Sequence, residues 1–168
     1  NLSKKSINYY LFEQILTVEK TRMKVRVTKE FKFEAAHALD GYSGKCEDIH
    51  GHNYHLTVTF LGDPEKDKIL STCGMVVDFG DIKAFLSEQI KPLFDHRLIL
   101  RNDSRFLGLE KKNKRIRYVD YQPTTENMLL EIVDILNNNF KTSNNVVLCS
   151  AFLRETATSY VEWHQKDQ

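Results

Sequence analysis

The chain has 168 residues, of which 41 % are hydrophobic and 28 % are charged, a composition that suits a single globular domain with a real core. Its 24 lysine and arginine residues nearly balance 23 acidic residues and leave a formal charge of +1, so we expect no nucleic-acid partner, which would need a clustered basic face. No apolar run reaches the length of about 18 residues that a membrane-spanning helix needs, so we expect no membrane association.

The cysteines indicate the compartment. Cys46, Cys73 and Cys149 are an odd and sparse set, unlike the disulfide framework of a small secreted domain. The first residues lack the charged and then apolar pattern of a secretory signal. We therefore expect free thiols in a reducing cytoplasm.

Residues 1–22 are predicted to be an N-terminal extension that precedes the main domain at residues 23–168. Two interpretations stay open for the extension. Ile7, Leu11 and Ile15 can form an amphipathic turn or two of helix, or the segment is partly disordered, as chain ends often are.

Two strands are predicted at the start of the main domain. Apolar and polar residues alternate from Met23 to Phe33 and again from Asn53 to Leu61, which is the period of a half-buried strand. The loop between them, at residues 40–47, contains two glycines. It is a natural place for a mobile active-site segment.

Two helices are predicted next. The first is capped by Asp78 or Asp81 and continues with apolar residues at helical spacing. The second has Thr124 or Thr125 as its N-cap and ends in the Asn-rich run at 137–139.

Two further strands, at residues 146–153 and 159–163, close the chain. The order strand-strand-helix-helix-strand-strand provides too few helices for a crossover between every pair of strands. It predicts an α+β fold, with an antiparallel β-sheet and two helices on one face.

A histidine cluster provides the first functional signal. His50 and His52 flank Gly51, and residues two apart on a strand point to the same face. His37, at the end of the first strand, is placed to join them if the two strands pair. Three imidazoles with an open fourth position are typical of catalytic zinc, although two solvated histidines in a turn remain an alternative.

Cys46 precedes His50 by four residues and has three possible roles. As a fourth ligand it would close the site and make the zinc structural. As a thiolate beside the metal it would be a catalytic base. As a buried cysteine it would have no chemical role.

Two more positions carry polar groups at the ends of predicted elements. Asp95 and His96 follow the first helix and are candidates for a polarised imidazole that relays protons, although adjacent residues usually point apart. Glu155 ends an apolar strand. It is either a solvated strand end or a carboxylate that pairs with a guanidine-like heterocycle edge.

Six motifs now fall in order along the chain. Together they resemble the pterin-synthase family, which includes 6-pyruvoyl-tetrahydropterin synthase and 6-carboxytetrahydropterin synthase. The spacing of the cysteine and the His-Gly-His motif resembles the bacterial carboxy-type enzymes. The motifs are Phe33–His37, Cys46–Tyr54, Gly74–Phe79, Phe94–Leu98, Pro123–Asn127 and Glu155–Thr156.

The resemblance implies the tunnelling fold, in which protomers join as trimers into a barrel and often stack as hexamers, with active sites at subunit interfaces. It also implies roles for residues of this chain. These are zinc on His37, His50 and His52, proton transfer by Cys46, Asp95 and His96, a pterin anchor at Glu155, and pocket lining by Thr124 and Thr125.

The implied reaction converts 7,8-dihydroneopterin triphosphate to 6-carboxy-5,6,7,8-tetrahydropterin, acetaldehyde and triphosphate, on the pathway to queuosine. Two alternatives within the family are formation of 6-pyruvoyl-tetrahydropterin and cleavage of the side chain to 6-hydroxymethyldihydropterin, in which Glu47 would be the acid or base. The alternative outside it is a non-catalytic domain with a structural zinc. Ala38 stands where many relatives have a basic residue, so Lys45 or Arg97 are candidates for phosphate contacts.

Overall fold

The computed structural model describes residues 23–111, 114–140 and 145–168, so the predicted extension at residues 1–22 lies outside the described residues. The described residues form a six-stranded sheet with the strand order β4-β3-β1-β2-β5-β6. The strands are β1 Val25–His37, β2 His50–Gly62, β3 Arg97–Arg101, β4 Ile116–Val119, β5 Val147–Arg154 and β6 Tyr160–His164.

The helices begin where the sequence predicts. Helix α1 (Phe79–Phe85) continues through a π-helical turn (Leu86–Ile90) into α2 (Lys91–Phe94), and α3 spans Thr125–Asn139. The Asp78 carboxylate accepts from the Gly80 backbone N–H at 2.6 Å, and the Thr124 hydroxyl accepts from the Asn127 N–H at 3.4 Å. Both N-caps satisfy backbone donors that a helix leaves unpaired. None of the helices in the described ranges is long and apolar enough to cross a membrane.

The hairpin of β1 and β2 is the centre of the sheet. Its antiparallel register places Phe33 opposite Tyr54, Ala35 opposite His52 and His37 opposite His50. Because side chains alternate across a strand, these residues share one face. The predicted pairing of the first two strands is confirmed, and it extends to the histidines.

The helices cover that same face of the sheet. Side chains from α1, α2 and α3 join those of β1, β2 and β5 in one buried cluster, which confirms the α+β prediction with helices on one face. Its fully buried members include Tyr54, Leu56, Val58, Ile82, Leu86, Ile90, Phe94, Met128, Ile132 and Leu153.

The sheet is mixed, and the prediction of an antiparallel sheet was wrong for two of its five pairings. β3 runs parallel to β1, with Ala35 opposite Arg97 and His37 opposite Ile99, and β4 runs parallel to β3. The helical segment from α1 to α2 connects β2 to β3, which lies on the other side of β1 in the sheet. Leu98 and Leu100 of β3 pack in a second, smaller cluster.

Candidate active site

The three predicted zinc ligands come together at one end of the hairpin. The ring centroids of His37 and His50 are 4.5 Å apart, those of His37 and His52 are 5.4 Å apart, and those of His50 and His52 are 5.0 Å apart. One ring nitrogen of each lies within 4.8 Å of the others. The register of β1 with β2 creates this cluster, because all three side chains leave the sheet on its helix-covered face.

Backbone carbonyls fix the orientation of two of the rings. Nδ1 of His37 lies 2.6 Å from the carbonyl oxygen of Pro123, and Nδ1 of His50 lies 2.8 Å from that of Asp48. A carbonyl only accepts, so each Nδ1 carries the proton and each Nε2 presents its lone pair.

The Nε2 atoms of His37, His50 and His52 are all buried without a hydrogen-bond partner. Buried polar atoms are rarely left unpaired, and three convergent imidazole nitrogens are a favoured ligand set for zinc. Burial lowers the pKa of His37 and of His52, which favours the neutral form that a metal needs. The residues therefore fit a zinc ion.

Glu155 lies beside this cluster, directly after β5. Its Oε1 accepts hydrogen bonds from the hydroxyls of Thr125 at 2.7 Å and Tyr54 at 3.1 Å. The same oxygen is 3.5 Å from Nε2 of His37 and 3.7 Å from Nε2 of His52. Burial alone would raise the pKa of Glu155, but the pKa is lowered overall, and the hydrogen bond from Thr125 is the largest of the causes that lower it. The Glu155 carboxylate is therefore ionised and accepts hydrogen bonds beside the metal site.

A cavity of about 320 Å³ opens next to these groups. It brings five of the predicted site residues together, along with Tyr42, Ser159 and Tyr160 at its wall. The five are His37, Cys46, Thr124, Thr125 and Glu155.

Cys46 reaches this cavity from the loop between β1 and β2. The loop begins with a β-turn in which the Tyr42 N–H donates to the Leu39 carbonyl at 3.3 Å. Its third residue, Gly41, has a φ of 75°, which favours glycine. The Leu39 N–H then donates to the Cys46 carbonyl at 3.0 Å. These bonds hold the thiol-bearing turn against the end of β1.

Asp95 and His96 lie on the other side of β1. The Glu34 N–H donates to Oδ1 of Asp95 at 3.2 Å, and the His96 N–H donates to the Glu34 carbonyl at 2.6 Å. Nδ1 of His96 is 3.1 Å from Oδ1 of Asp95. His96 has a φ of 56°, a conformation that is uncommon outside glycine and is held here by these contacts.

These two residues border different space from Cys46. His96 lines a second cavity of about 470 Å³ together with Asn53, Arg97 and Arg115. The side chain of His96 is 55 % exposed. Within one chain, the structure pairs Asp95 with His96 but does not bring either residue into the cavity that Cys46 lines.

Glu47, the alternative acid or base, is engaged elsewhere. Its carboxylate accepts from Nη1 of Arg105 at 2.8 Å, and the residue is not among those that line the cavity of Cys46. Cys46 and Glu47 are adjacent in one turn, but only Cys46 lines the cavity.

Tyr54 and Arg105 were not predicted as site residues. Tyr54 follows His52 by two residues, so the alternation of β2 already places it on the same face. Its ring is fully buried, and burial raises the pKa of its hydroxyl, which therefore donates to Glu155. No local sequence pattern marks Arg105 as a site residue, because its partners Glu47 and Asp48 lie far from it in the sequence.

Comparison with known proteins identifies the family. A family model described as 6-pyruvoyl tetrahydropterin synthase matches residues 26–166. A 6-carboxy-5,6,7,8-tetrahydropterin synthase of Rickettsia typhi is 33 % identical over 141 residues, which cover 82 % of this chain and 99 % of the relative. The enzyme of the same name from Haemophilus influenzae is 34 % identical over 145 residues, covering 83 % and 99 %.

Solved structures show the same fold. An uncharacterised protein from Wolinella succinogenes superposes with a TM-score of 0.66 at 18 % identity, covering 85 % of this chain and 99 % of that one. The 6-pyruvoyl tetrahydropterin synthase of Caenorhabditis elegans superposes with a TM-score of 0.61 at 24 % identity, covering 84 % and 96 %. The predicted pterin-synthase fold of the protomer is confirmed.

Proposed function

Because the chain belongs to the 6-pyruvoyl tetrahydropterin synthase family, we propose that it is a pterin enzyme of the carboxy type. The reaction converts 7,8-dihydroneopterin triphosphate and water to 6-carboxy-5,6,7,8-tetrahydropterin, acetaldehyde and triphosphate. The names of the relatives from Rickettsia and Haemophilus support this choice of product. The observation that carries it is the convergence of the Glu155 carboxylate, the Cys46 thiol and His37, a member of the histidine triad, on one cavity.

We assign binding of the pterin ring to the carboxylate of Glu155. An ionised carboxylate accepts two parallel hydrogen bonds from the amino and ring N–H groups of a pterin, as it does from a guanidinium. Thr125 holds Oε1 at 2.7 Å, so the carboxylate is oriented before the substrate arrives. Thr124 and Thr125 line the cavity at the N-terminus of α3.

The metal is assigned to Nε2 of His37, His50 and His52, which would hold zinc. Zinc supplies Lewis-acid polarisation of hydroxyl oxygens at such a site. Cys46 lines the same cavity as His37 and Glu155, and as a thiolate it accepts the proton that leaves the substrate side chain.

His96, paired with Asp95, is assigned the second proton-transfer step. Because neither Asp95 nor His96 lines the cavity of Cys46 in one chain, we infer that the complete site takes His96 from a second copy. β4 and β6 are the edge strands of the described sheet, and edges with unpaired backbone groups are the natural places for chains to join. These edges support association between copies of the chain, and we propose the assembly that the family resemblance implies, in which trimers close a barrel and stack as a hexamer.

The assembled site can be tested by mixing two inactive variants. We expect Cys46→Ala and His96→Ala each to be inactive as a pure protein. If the site is shared, unfolding and refolding them together will restore part of the activity, since some interfaces then contain both native residues. If no activity returns although light scattering shows mixed oligomers, the shared site is wrong.

The reaction is tested by incubating zinc-loaded protein with 7,8-dihydroneopterin triphosphate and identifying the products by mass spectrometry. Carboxytetrahydropterin with acetaldehyde supports the proposal, and the cytoplasmic pathway to queuosine would consume that product. Pyruvoyl-tetrahydropterin or hydroxymethyldihydropterin would assign the chain to another branch of the family. Absence of turnover by assembled, zinc-loaded protein would favour a structural zinc site.

A further inference from the structure

We propose that Arg105 is a positioning residue that decides which of two neighbouring side chains, Cys46 or Glu47, faces the substrate. Arg105 thereby restricts the enzyme to one product. This inference rests on the proposed function and names a residue that determines its specificity.

The side chain of Arg105 binds the turn that carries both groups. Its Nη1 donates to Oε1 of Glu47 at 2.8 Å, and its Nη2 donates to the Glu47 carbonyl at 2.9 Å and to Oδ1 of Asp48 at 2.8 Å. Its backbone N–H donates to Oδ1 of Asp40 at 3.1 Å, and the guanidinium lies over the ring of Phe106 at 4.7 Å. One residue therefore holds both ends of the loop.

The geometry makes the choice between the two side chains exclusive. Cys46 and Glu47 are consecutive residues in a single 3-10 turn, Lys45–Glu47, so a rotation that brings one toward the cavity takes the other away. Cys46 lines the cavity of about 320 Å³ and Glu47 does not. The Arg105 contacts to the carboxylate and the carbonyl of Glu47 oppose that rotation.

The contacts also reach the metal site. Asp48, which Arg105 binds through its carboxylate, offers its carbonyl to Nδ1 of His50 at 2.8 Å. Such a contact sets the tautomer and ring orientation of a ligating histidine. Arg105 thus positions the thiol and one histidine through the same short segment.

A planar guanidinium suits this task because it makes several fixed hydrogen bonds at once. An isolated exposed ion pair contributes little, but charge-assisted bonds from one fork to two carboxylates and a carbonyl restrict the geometry. Lysine has the charge without the fork and is not an equivalent replacement.

The two orientations lead to different chemistry. With a carboxylate as base, the second side-chain hydroxyl loses its proton and its carbon becomes an aldehyde as the bond to the first side-chain carbon breaks. The electron pair of that bond passes into the pterin ring and returns when the first carbon takes up a proton. The products are 6-hydroxymethyl-7,8-dihydropterin and glycolaldehyde triphosphate, and the atoms balance without an oxidant.

The test compares the product ratios of Arg105→Ala and Arg105→Lys with those of the unaltered enzyme. We expect the ratio of hydroxymethyldihydropterin to carboxytetrahydropterin to rise roughly tenfold or more in both, the size of effect that loss of a hydrogen bond to a charged group produces. Adding Glu47→Gln to Arg105→Ala should abolish the new product. Arg26→Ala, an exposed arginine at the far end of β1, is the control and should leave the ratio unchanged.

A second measurement does not depend on turnover. Amide hydrogen exchange of residues 44–50 and the rate of Cys46 alkylation by iodoacetamide, followed by peptide mass spectrometry, should both rise roughly tenfold in Arg105→Ala. Arg105→Lys serves as the milder variant if the alanine protein does not fold.

The outcomes separate the two claims. If the unaltered enzyme forms no carboxytetrahydropterin, the proposed function is wrong, and the exchange data then decide whether Arg105 holds the turn. If turnover falls equally for all products while the ratio stays constant, Arg105 has no role in specificity. Unchanged exchange and alkylation would overturn the positioning role itself.

Discussion

The hydroxyl of Thr125 donates to Oε1 of Glu155 over 2.7 Å and so joins the first turn of α3 to the end of β5. Tyr54 donates to the same oxygen, so two hydroxyls hold the carboxylate in place through Oε1. The carboxylate that is assigned to the pterin ring is therefore held by two separate elements of the fold.

Replacing this hydroxyl should weaken substrate recognition. We expect Thr125→Val to lower kcat/KM by about 10- to 100-fold, since a hydrogen bond to a charged group contributes about 1.5–3 kcal/mol. Most of the change should appear in KM, because the bond orients a binding group. Thr125→Ser retains the hydroxyl and should recover most of the loss. A serine variant as impaired as valine would mean that the methyl group, not the hydrogen bond, matters.

Metal binding should require the histidines on one face of β2 but not the histidine on the opposite face. We expect His52→Ala to lose bound zinc, measured by plasma mass spectrometry after dialysis, because it removes one of three ligand nitrogens. His55 is exposed on the opposite face of the same strand, so His55→Ala is the matched control and should retain the metal. Equal zinc content in both variants would contradict the triad assignment.

The role of Cys46 separates a catalytic from a structural metal site. We expect Cys46→Ala to reduce kcat by about 10²- to 10⁴-fold, the usual contribution of a general base, with zinc content unchanged. Cys149→Ala, in β5, provides the comparison for a cysteine outside the cavity. Loss of zinc from Cys46→Ala would instead identify the thiol as a fourth ligand.

Asp95 should make stability depend on pH at the acid end. Its partial burial would raise its pKa, but the hydrogen bond from the Glu34 N–H and the adjacent His96 outweigh this and lower the pKa. The carboxylate therefore stabilises the fold above its unfolded pKa of about 3.9, and this contribution disappears as pH falls through the lower folded pKa.

Urea unfolding of Asp95→Asn and the unaltered protein measures this contribution. We expect the variant to be less stable by about 1 kcal/mol at pH 7, with a difference that shrinks below about pH 4. Asp134→Asn, on the exposed side of α3, should show no such trend. A difference that stays constant down to pH 3 would mean that the charge of Asp95 is not involved.

The elements with clear periodicity were predictable. β1 and β2 have 13 residues each and alternate over most of that length, and α3 is preceded by a Thr124 cap. The hairpin, the long helix and the histidine triad therefore followed from the sequence. β3 and β4 were missed because strands of 5 and 4 residues are too short for a period to show. Missing β3 also hid the parallel pairing.

Some of the functional residues could likewise be predicted from local sequence, and others could not. His37, His50 and His52 are close because of strand register, which local sequence encodes. Arg105 meets Glu47 across 58 positions, and no local pattern reports such a contact. The separation of Asp95 and His96 from Cys46 could not be predicted from the sequence either, because it depends on the parallel placement of β3 beside β1.

The uninterrupted register of β1 with β2 limits how this sequence can change length. One inserted residue near His50 or His52 would turn the following side chains to the opposite face and disperse the triad. Two inserted residues would restore the face but shift the ring positions by about 7 Å. The connection that follows Gly62 leaves the hairpin at its other end. Insertions and deletions that accumulate as the lineage diverges should therefore be tolerated at the exposed residues 66–73, ahead of the Gly74–Phe79 motif, while the histidine end keeps its spacing.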